Sequence, residues 1–124
     1  MITLLAEVNT GAEWLVDARG CDAESLRCEE PLRALMADMV AKLALHVIGV
    51  PQWHTFGGEG GVTALYMLSE SHLTLHTFPE HGYFALNLYH CGDRGAQLRP
   101  DWPALLGGYV TPEDIRVQCI TRAP

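Results

Sequence analysis

A serine that directly follows a glutamate is the residue with the clearest potential for chemistry in this sequence. Ser71 follows Glu70 between two strand-like runs, and His72 and His76 come next. If the Ser71 hydroxyl attacks the Glu70 carbonyl, the peptide bond becomes an ester. Elimination then releases the Glu70 carboxylate and leaves residue 71 as a source of a reactive carbonyl. Such chemistry requires a base near the hydroxyl and a donor for the oxyanion.

Two nearby residues have side chains that could assist this reaction. His76 can act as the base, and Thr63 can donate a hydrogen bond if the preceding strand folds back beside it. The simpler interpretation of the residue types is that Ser71 and Thr63 are ordinary strand hydroxyls and that His76 is a partly buried histidine. Residue types alone leave both interpretations open.

Other chemistries fit the spacing less well. His72 and His76 would lie on one face of a strand but about 13 Å apart, too far to share a zinc ion. A Ser-His hydrolase is disfavoured because the sequence has no Gly-x-Ser-x-Gly motif. The glycine-rich segment 57–61 leads into a strand and lacks the lysine of a phosphate-binding loop. We therefore expect no metal site.

Composition narrows the class of protein. The 124 residues are expected to form one domain, and the net charge of −7 argues against nucleic acid as a partner. No apolar run approaches the roughly 20 residues of a membrane span, and the N-terminus lacks a basic signal-peptide region. The four cysteines show no Cys-x-x-Cys pairing. We expect free thiols and a cytoplasmic location, with no membrane partner.

The hydrophobic pattern predicts about six strands, one long helix and one short helix. The long helix spans 23–46 and has Pro31 in its first turn. Six strands are predicted at 13–19, 47–56, 62–70, 72–78, 83–91 and 115–121, and residues 2–8 could form a further short strand. A turn is predicted at 79–82 and a short helix at 101–106 capped by Asp101. Pro51 predicts an edge position for its strand. These elements favour an α+β two-layer sandwich with helices packed on one face of an antiparallel sheet.

The central motif resembles that of a known family. Residues 70–83 read Glu-Ser-His-Leu-Thr-Leu-His-Thr-Phe-Pro-Glu-x-Gly-Tyr, and residues 87–92 read Asn-x3-Cys-Gly. Both segments are similar to those of the bacterial S-adenosylmethionine decarboxylase proenzymes. The likeness extends upstream through 61–63 and 54–56 and covers roughly residues 11–95.

This resemblance implies a role for each matching residue. It implies self-cleavage between Glu70 and Ser71 into chains 1–70 and 71–124, with Thr63 and His76 assisting. Ser71 would become a pyruvoyl group, in place of a metal or pyridoxal phosphate, which forms a Schiff base with the substrate amine and accepts electrons as carbon dioxide leaves. Cys91 would then return a proton. The implied substrate contacts are Phe56, Glu80 and Asn87.

The resemblance also implies a function and an assembly. The expected activity is decarboxylation of S-adenosylmethionine in polyamine biosynthesis by a homodimer whose active sites lie at the subunit interface. Several positions depart from the family pattern: Asn87 stands where Asp is usual, Phe78 where Trp is usual, Glu13 where His is frequent, and the loop before Gly61 is longer. These departures leave two alternatives open. One is an L-arginine or L-ornithine decarboxylase with the same cofactor, and the other is an unprocessed, non-catalytic binding homologue.

Overall fold

Antiparallel strands form the main layer of the protein. The structure, a computed structural model, describes residues 10–69, 71–91 and 98–124. Within these residues the strands are β1 (Gly11–Arg19), β2 (Gln52–Thr55), β3 (Val62–Leu68), β4 (Ser71–Phe78), β5 (Tyr83–His90) and β6 (Asp114–Arg122). They form a six-stranded sheet in the order β2-β3-β4-β5-β1-β6, in which every neighbouring pair is antiparallel.

Helices form the second layer. In the described part of the chain these are α1 (Ala23–Leu26), α2 (Glu29–Lys42) and α3 (Trp102–Val110). Successive side chains of a strand point to opposite faces of the sheet. Those on one face form an apolar core with the helices, in which Leu75, Phe84, Leu35 and Met36 are fully buried. The predicted α+β sandwich with helices on one face of an antiparallel sheet is confirmed.

The opposite side of the sheet, which we call the open face, is polar at its centre and carries exposed apolar side chains on β3 and β6. Strand register and alternation assign its residues from the described strands. They are Gly11, Glu13, Leu15, Asp17, Arg19, Gln52, His54, Thr63, Leu65, Met67, His72, Thr74, His76, Phe78, Tyr83, Ala85, Asn87, Tyr89, Asp114, Arg116, Gln118, Ile120 and Arg122. Three predicted site residues, Thr63, His76 and Asn87, therefore share this face.

The prediction of one continuous helix over 23–46 is wrong, because the structure has two helices there. The chain leaves α1 at Arg27, and Cys28 is extended, with φ −111° and ψ 119°, before α2 begins. Pro31 explains the break, because in one continuous helix it could not donate a hydrogen bond to the Arg27 carbonyl and its ring would clash with that carbonyl. The helix also ends before His46, because Ala44 adopts a left-handed φ of 53°.

The other predicted elements differ mainly in length. The strand predicted at 47–56 is reduced to β2, at the edge of the sheet as expected, and Val47 forms only an isolated bridge with Leu68. The turn at 79–82 contains a short 3₁₀ helix. Asp101 caps α3 by accepting from the Ala104 N–H at 3.2 Å, and that helix is longer than predicted.

The strand predicted at 2–8 lies outside the described residues. Among the residues that are described, no helix is long and apolar enough to cross a membrane.

Candidate active site

A threonine and a histidine meet across β3 and β4 on the open face. Thr63 is the register partner of His76, and Thr63 Oγ1 lies 3.0 Å from His76 Nδ1. A neutral imidazole can accept the hydroxyl proton through the nitrogen that carries no hydrogen. The structure thus brings together the two residues whose proximity the sequence analysis required, in an arrangement that suits proton transfer.

A buried hydroxyl and a glycine hold this pair in register. Thr77 Oγ1 donates to the Leu26 carbonyl at 2.6 Å and accepts from the Val62 N–H at 2.9 Å. An added Cβ on Gly61 would lie 2.7 Å from the Thr77 carbonyl oxygen, so only glycine allows these two backbone segments to approach so closely. Because Val62 and Thr77 adjoin Thr63 and His76, these contacts position the pair.

Ser71 lies at the opposite end of the same hairpin. It opens β4, is half-buried, and pairs with Leu68 at the last position of β3. The Ser69 N–H donates to the His46 carbonyl at 2.9 Å, which ties the connection between the strands to the neighbouring chain segment. Glu70, the other residue of the predicted cleavage site, lies outside the described residues.

Ser71 and His76 are therefore not brought together within one chain. They are five positions apart on one strand, which corresponds to about 16 Å along its axis. Their side chains also alternate to opposite faces of the sheet. A reaction that needs both residues requires a second chain or a large rearrangement.

Cys91 lies at the Ser71 end of the sheet. It follows β5 directly, and the β4–β5 register pairs His72 with Tyr89, so the start of β4 lies beside the end of β5. Cys91 is half-buried and is not part of a disulfide. The structure therefore places Cys91 at the same end of the sheet as Ser71, and its role in returning a proton stays a prediction.

A cavity of about 370 Å³ lies at the Thr63–His76 end of the sheet. Its lining includes Phe56, Glu80 and Phe78 as well as the Thr63–His76 pair. The Phe56 N–H donates to the Gly61 carbonyl at 2.8 Å, which closes the glycine loop and keeps Phe56 at the cavity despite the longer loop. Two of the three predicted substrate contacts thus share one cavity.

Asn87 lies apart from that cavity, near the centre of the open face. Asn87 Nδ2 donates to Glu13 Oε2 at 3.2 Å, and Arg122 donates to Glu13 Oε1 at 2.8 Å. Asn87 Oδ1 is buried with no hydrogen-bond partner among the described groups. Asn87 borders a shallow depression of about 320 Å³ that also reaches Asp17 and His76.

Hydrogen bonds from neighbouring side chains stabilise the negative charge of Glu13. The hydrogen bond from Arg122, followed by that from Asn87, lowers the pKa of the Glu13 carboxyl below its ordinary value of 4.5. A depressed pKa means that the carboxylate form is favoured by its surroundings. Glu13 is therefore a fixed negative charge near the Ser71 end of the sheet.

A family model described as S-adenosylmethionine decarboxylase matches residues 12–122. The chain belongs to this family. It is 38% identical over 84 residues to a protein from Clostridium kluyveri named S-adenosylmethionine decarboxylase proenzyme, covering 68% of this chain and 65% of that one. A protein of the same name from Clostridium tetani is 40% identical over 86 residues, covering 69% and 67%. The alignment thus spans slightly less than two thirds of the C. kluyveri relative.

Further members of the S-adenosylmethionine decarboxylase family give longer matches. The proenzyme from Geobacillus kaustophilus is 35% identical over 98 residues, covering 79% of this chain and 77% of that one. The crystal structure of the adenosylmethionine decarboxylase from Aquifex aeolicus superposes with a TM-score of 0.75 at 28% identity, covering 90% and 89% of the two chains. This match agrees with the observed α+β fold.

Sequence reasoning missed several polar residues around this family motif. Arg122 pairs with Glu13 although 109 residues separate them, and nothing in the sequence signals that contact. Glu59 lines the cavity with Glu80, and the glycine-rich loop around it was the only available signal. Among the described residues no group of three or more His, Cys, Asp or Glu side chains could hold a metal ion.

Proposed function

We propose that this chain is a proenzyme that cleaves itself between Glu70 and Ser71 and then decarboxylates S-adenosylmethionine in polyamine biosynthesis. The observation that carries the proposal is the 3.0 Å contact between Thr63 and His76 beside a cavity of substrate size, in a member of this family. None of the four cysteines is part of a disulfide among the described residues, which agrees with a cytoplasmic enzyme.

Self-cleavage needs only groups of the protein and water. The Ser71 hydroxyl attacks the Glu70 carbonyl, the peptide C–N bond breaks, and an ester forms. Removal of the Ser71 α-proton then breaks the bond between Ser71 Cβ and the ester oxygen, which frees the Glu70 carboxylate and leaves a dehydroalanine that tautomerises to an imine. Water replaces the nitrogen of the resulting imine, releasing ammonia and leaving a pyruvoyl group on chain 71–124. His76 takes the role of the base and Thr63 that of the donor to the oxyanion.

A second copy of the chain completes the site in this proposal. Ser71 lies about 16 Å along the strand from His76 of its own chain, beyond the reach of a proton transfer. A homodimer would bring the partner's His76 and the partner's Thr63 to the cleavage site of the first chain. Each dimer would then hold two equivalent sites.

The open face suits this dimer. Several large apolar side chains of this face are substantially exposed, among them Met67 at 62%, Ile120 at 49% and Leu65 at 45%. Exposed apolar patches of this kind mark protein interaction surfaces. Two copies joined through this face would bury the patches and enclose the polar centre between two sheets.

The pyruvoyl group supplies the electron sink for decarboxylation, in place of a metal or pyridoxal phosphate. Cys91 holds the proton that the substrate carbon receives once carbon dioxide has left. Since this cavity lies at the Thr63–His76 end of each chain, the partner's Phe56 offers an aromatic surface to the substrate base, and the partner's Glu80 accepts hydrogen bonds there. Asn87, half-buried near the centre of the sheet, offers an unpartnered carbonyl oxygen to a polar group of the substrate.

A second candidate substrate is L-arginine or L-ornithine. Two carboxylates, Glu59 and Glu80, line the cavity, whose described lining includes no lysine or arginine. Such a lining favours a cationic side chain. The sulfonium of S-adenosylmethionine is also cationic, so charge alone does not distinguish the candidates, whereas Phe56 favours the adenosyl compound.

Release of labelled carbon dioxide from S-adenosylmethionine, L-arginine and L-ornithine tests the proposal. We expect release from S-adenosylmethionine, and none from a Ser71→Ala variant. Release only from an amino acid would contradict the substrate assignment. If no substrate is decarboxylated but S-adenosylmethionine raises the thermal midpoint, the chain is a binding homologue and the enzyme proposal fails.

A further inference from the structure

Gly11 opens β1 and lies against the end of β5. The β1–β5 register pairs Ala12 with His90, which puts Gly11 opposite Cys91. We propose that Gly11 is a positioning residue for Cys91, allowing the thiol to lie where it can return a proton. This inference rests on the proposed decarboxylase function but concerns a residue that does not itself touch the substrate.

The space beside Gly11 is already occupied. An ideal Cβ built on Gly11 would lie 3.1 Å from Cys91 Cβ, from the His90 carbonyl oxygen and from Tyr89 Cε1. Ordinary contacts of a Cβ atom begin near 3.4 Å, so each neighbour would have to move by a few tenths of an ångström. The backbone of Gly11 is not in the left-handed region, so the constraint is one of space.

No neighbour can move without affecting the proposed site. The three contacts belong to consecutive residues at one strand end, and the His90 carbonyl is backbone adjoining Cys91. The Tyr89 ring is also confined, with Arg122 Cζ 5.4 Å from its centroid and the His72 ring 5.8 Å away. His72 follows Ser71 directly. An alanine at position 11 would therefore displace either Cys91 or the aromatic contact next to Ser71.

Gly11→Ala tests the inference, because catalytic groups must be held closely in place. We expect self-cleavage to go to completion, while kcat for decarboxylation falls about tenfold with KM little changed. Cys91→Ala sets the lower limit of activity. Gly107→Ala is the matched control, since nothing lies within 4 Å of an added Cβ there, and it should retain the activity of the unmodified protein.

A second readout does not depend on catalysis. The rate at which iodoacetamide alkylates Cys91 is measured by peptide mass in an uncleaved Ser71→Ala background. Adding Gly11→Ala should change that rate several-fold, whereas Gly107→Ala should leave it unchanged. If Gly11→Ala does not fold, Gly11→Ala with Tyr89→Ala, compared with Tyr89→Ala alone, retains two of the three contacts and gives the same test.

The outcomes separate this inference from the proposed function. If the unmodified protein decarboxylates and Gly11→Ala has the same kcat, the inference is overturned. It is equally overturned if kcat falls while Cys91 is alkylated at an unchanged rate. If the unmodified protein does not decarboxylate at all, the proposed function fails, and the alkylation comparison still decides whether Gly11 positions Cys91.

Discussion

At the scale of single residues, Glu13 illustrates how a charge is held on this sheet. Arg122 and Asn87 donate to its carboxylate, and their hydrogen bonds keep its pKa below the ordinary value of 4.5. A group whose pKa is depressed on folding stabilises the folded state above its unfolded pKa. That contribution is lost as the pH falls through the folded pKa.

Glu13→Gln should therefore lower the free energy of unfolding at neutral pH. Because the Arg122 side chain is 55% exposed and water screens the pair, we expect a loss of only about 0.5–1 kcal/mol. The loss should shrink as the pH falls below 4.5. Urea denaturation at neutral and acidic pH measures it, with Glu24→Gln, a highly exposed acid, as the control. A loss that does not change with pH would contradict the role of the charge.

Residue identity predicted some of these contacts and not others. Thr63 and His76 were expected to adjoin because a tight hairpin between β3 and β4 pairs residues near in sequence. The Glu13–Arg122 pair depends on β1 meeting β6, and a pairing between such distant segments leaves no local pattern. The contact between Gly11 and Cys91 could not be predicted either, because it also depends on the pairing of two strands that are distant in sequence.

At the scale of secondary structure elements, one buried hydroxyl joins three of them. Thr77 on β4 bonds both the Val62 N–H of β3 and the Leu26 carbonyl of α1. Removing one partner of a buried hydrogen bond leaves the other groups unsatisfied. The position of the Thr63–His76 pair should therefore depend on Thr77.

Thr77→Val, which keeps the shape but removes the hydroxyl, should lower the free energy of unfolding by about 1–3 kcal/mol. It should also slow self-cleavage, because His76 adjoins the altered position. Thr121→Val is the control, since Thr121 is exposed on β6 and pairs with the core residue Ala12, so it lies off the open face and away from the Thr63–His76 pair. Urea denaturation and the rate of appearance of chain 71–124 measure the two effects. Equal rates for the two variants would contradict this role.

The elements themselves were largely predictable, and the differences have physical causes. Alternating apolar residues predicted β1 and β3 to β6 nearly at their observed bounds. The pattern of apolar residues continued through 23–46 as if through one helix, but Pro31 interrupts the backbone hydrogen bonds there. The spacing of apolar residues indicates which side chains face the core, but it does not indicate whether the helix backbone is interrupted between them.

At the scale of the whole molecule, the proposed dimer predicts that a charge on the open face stops assembly and processing together. Met67→Glu should convert a dimer into monomers, measured by light scattering, and should abolish self-cleavage, because burying an unpaired charge in an interface is costly. Val117→Glu is the control: Val117 is also exposed but pairs with the core residue Val16, so it lies on the helix side. A Met67→Glu monomer that still cleaves itself would contradict the shared site.

Intact-mass measurement of co-expressed Ser71→Ala and His76→Ala chains tests the central claim most directly. The unmodified protein should give chains 1–70 and 71–124, the latter with a pyruvoyl end, and each variant alone should stay uncleaved. In mixed dimers, Ser71 of the His76→Ala chain meets the partner's His76. We therefore predict a pyruvoyl-ended 71–124 fragment that carries alanine at position 76. An uncleaved mass for the unmodified protein would contradict self-processing. Absence of the 71–124 fragment with alanine at position 76 from the mixture would contradict a site shared between two copies, whereas some intact His76→Ala chain is expected from its own homodimers.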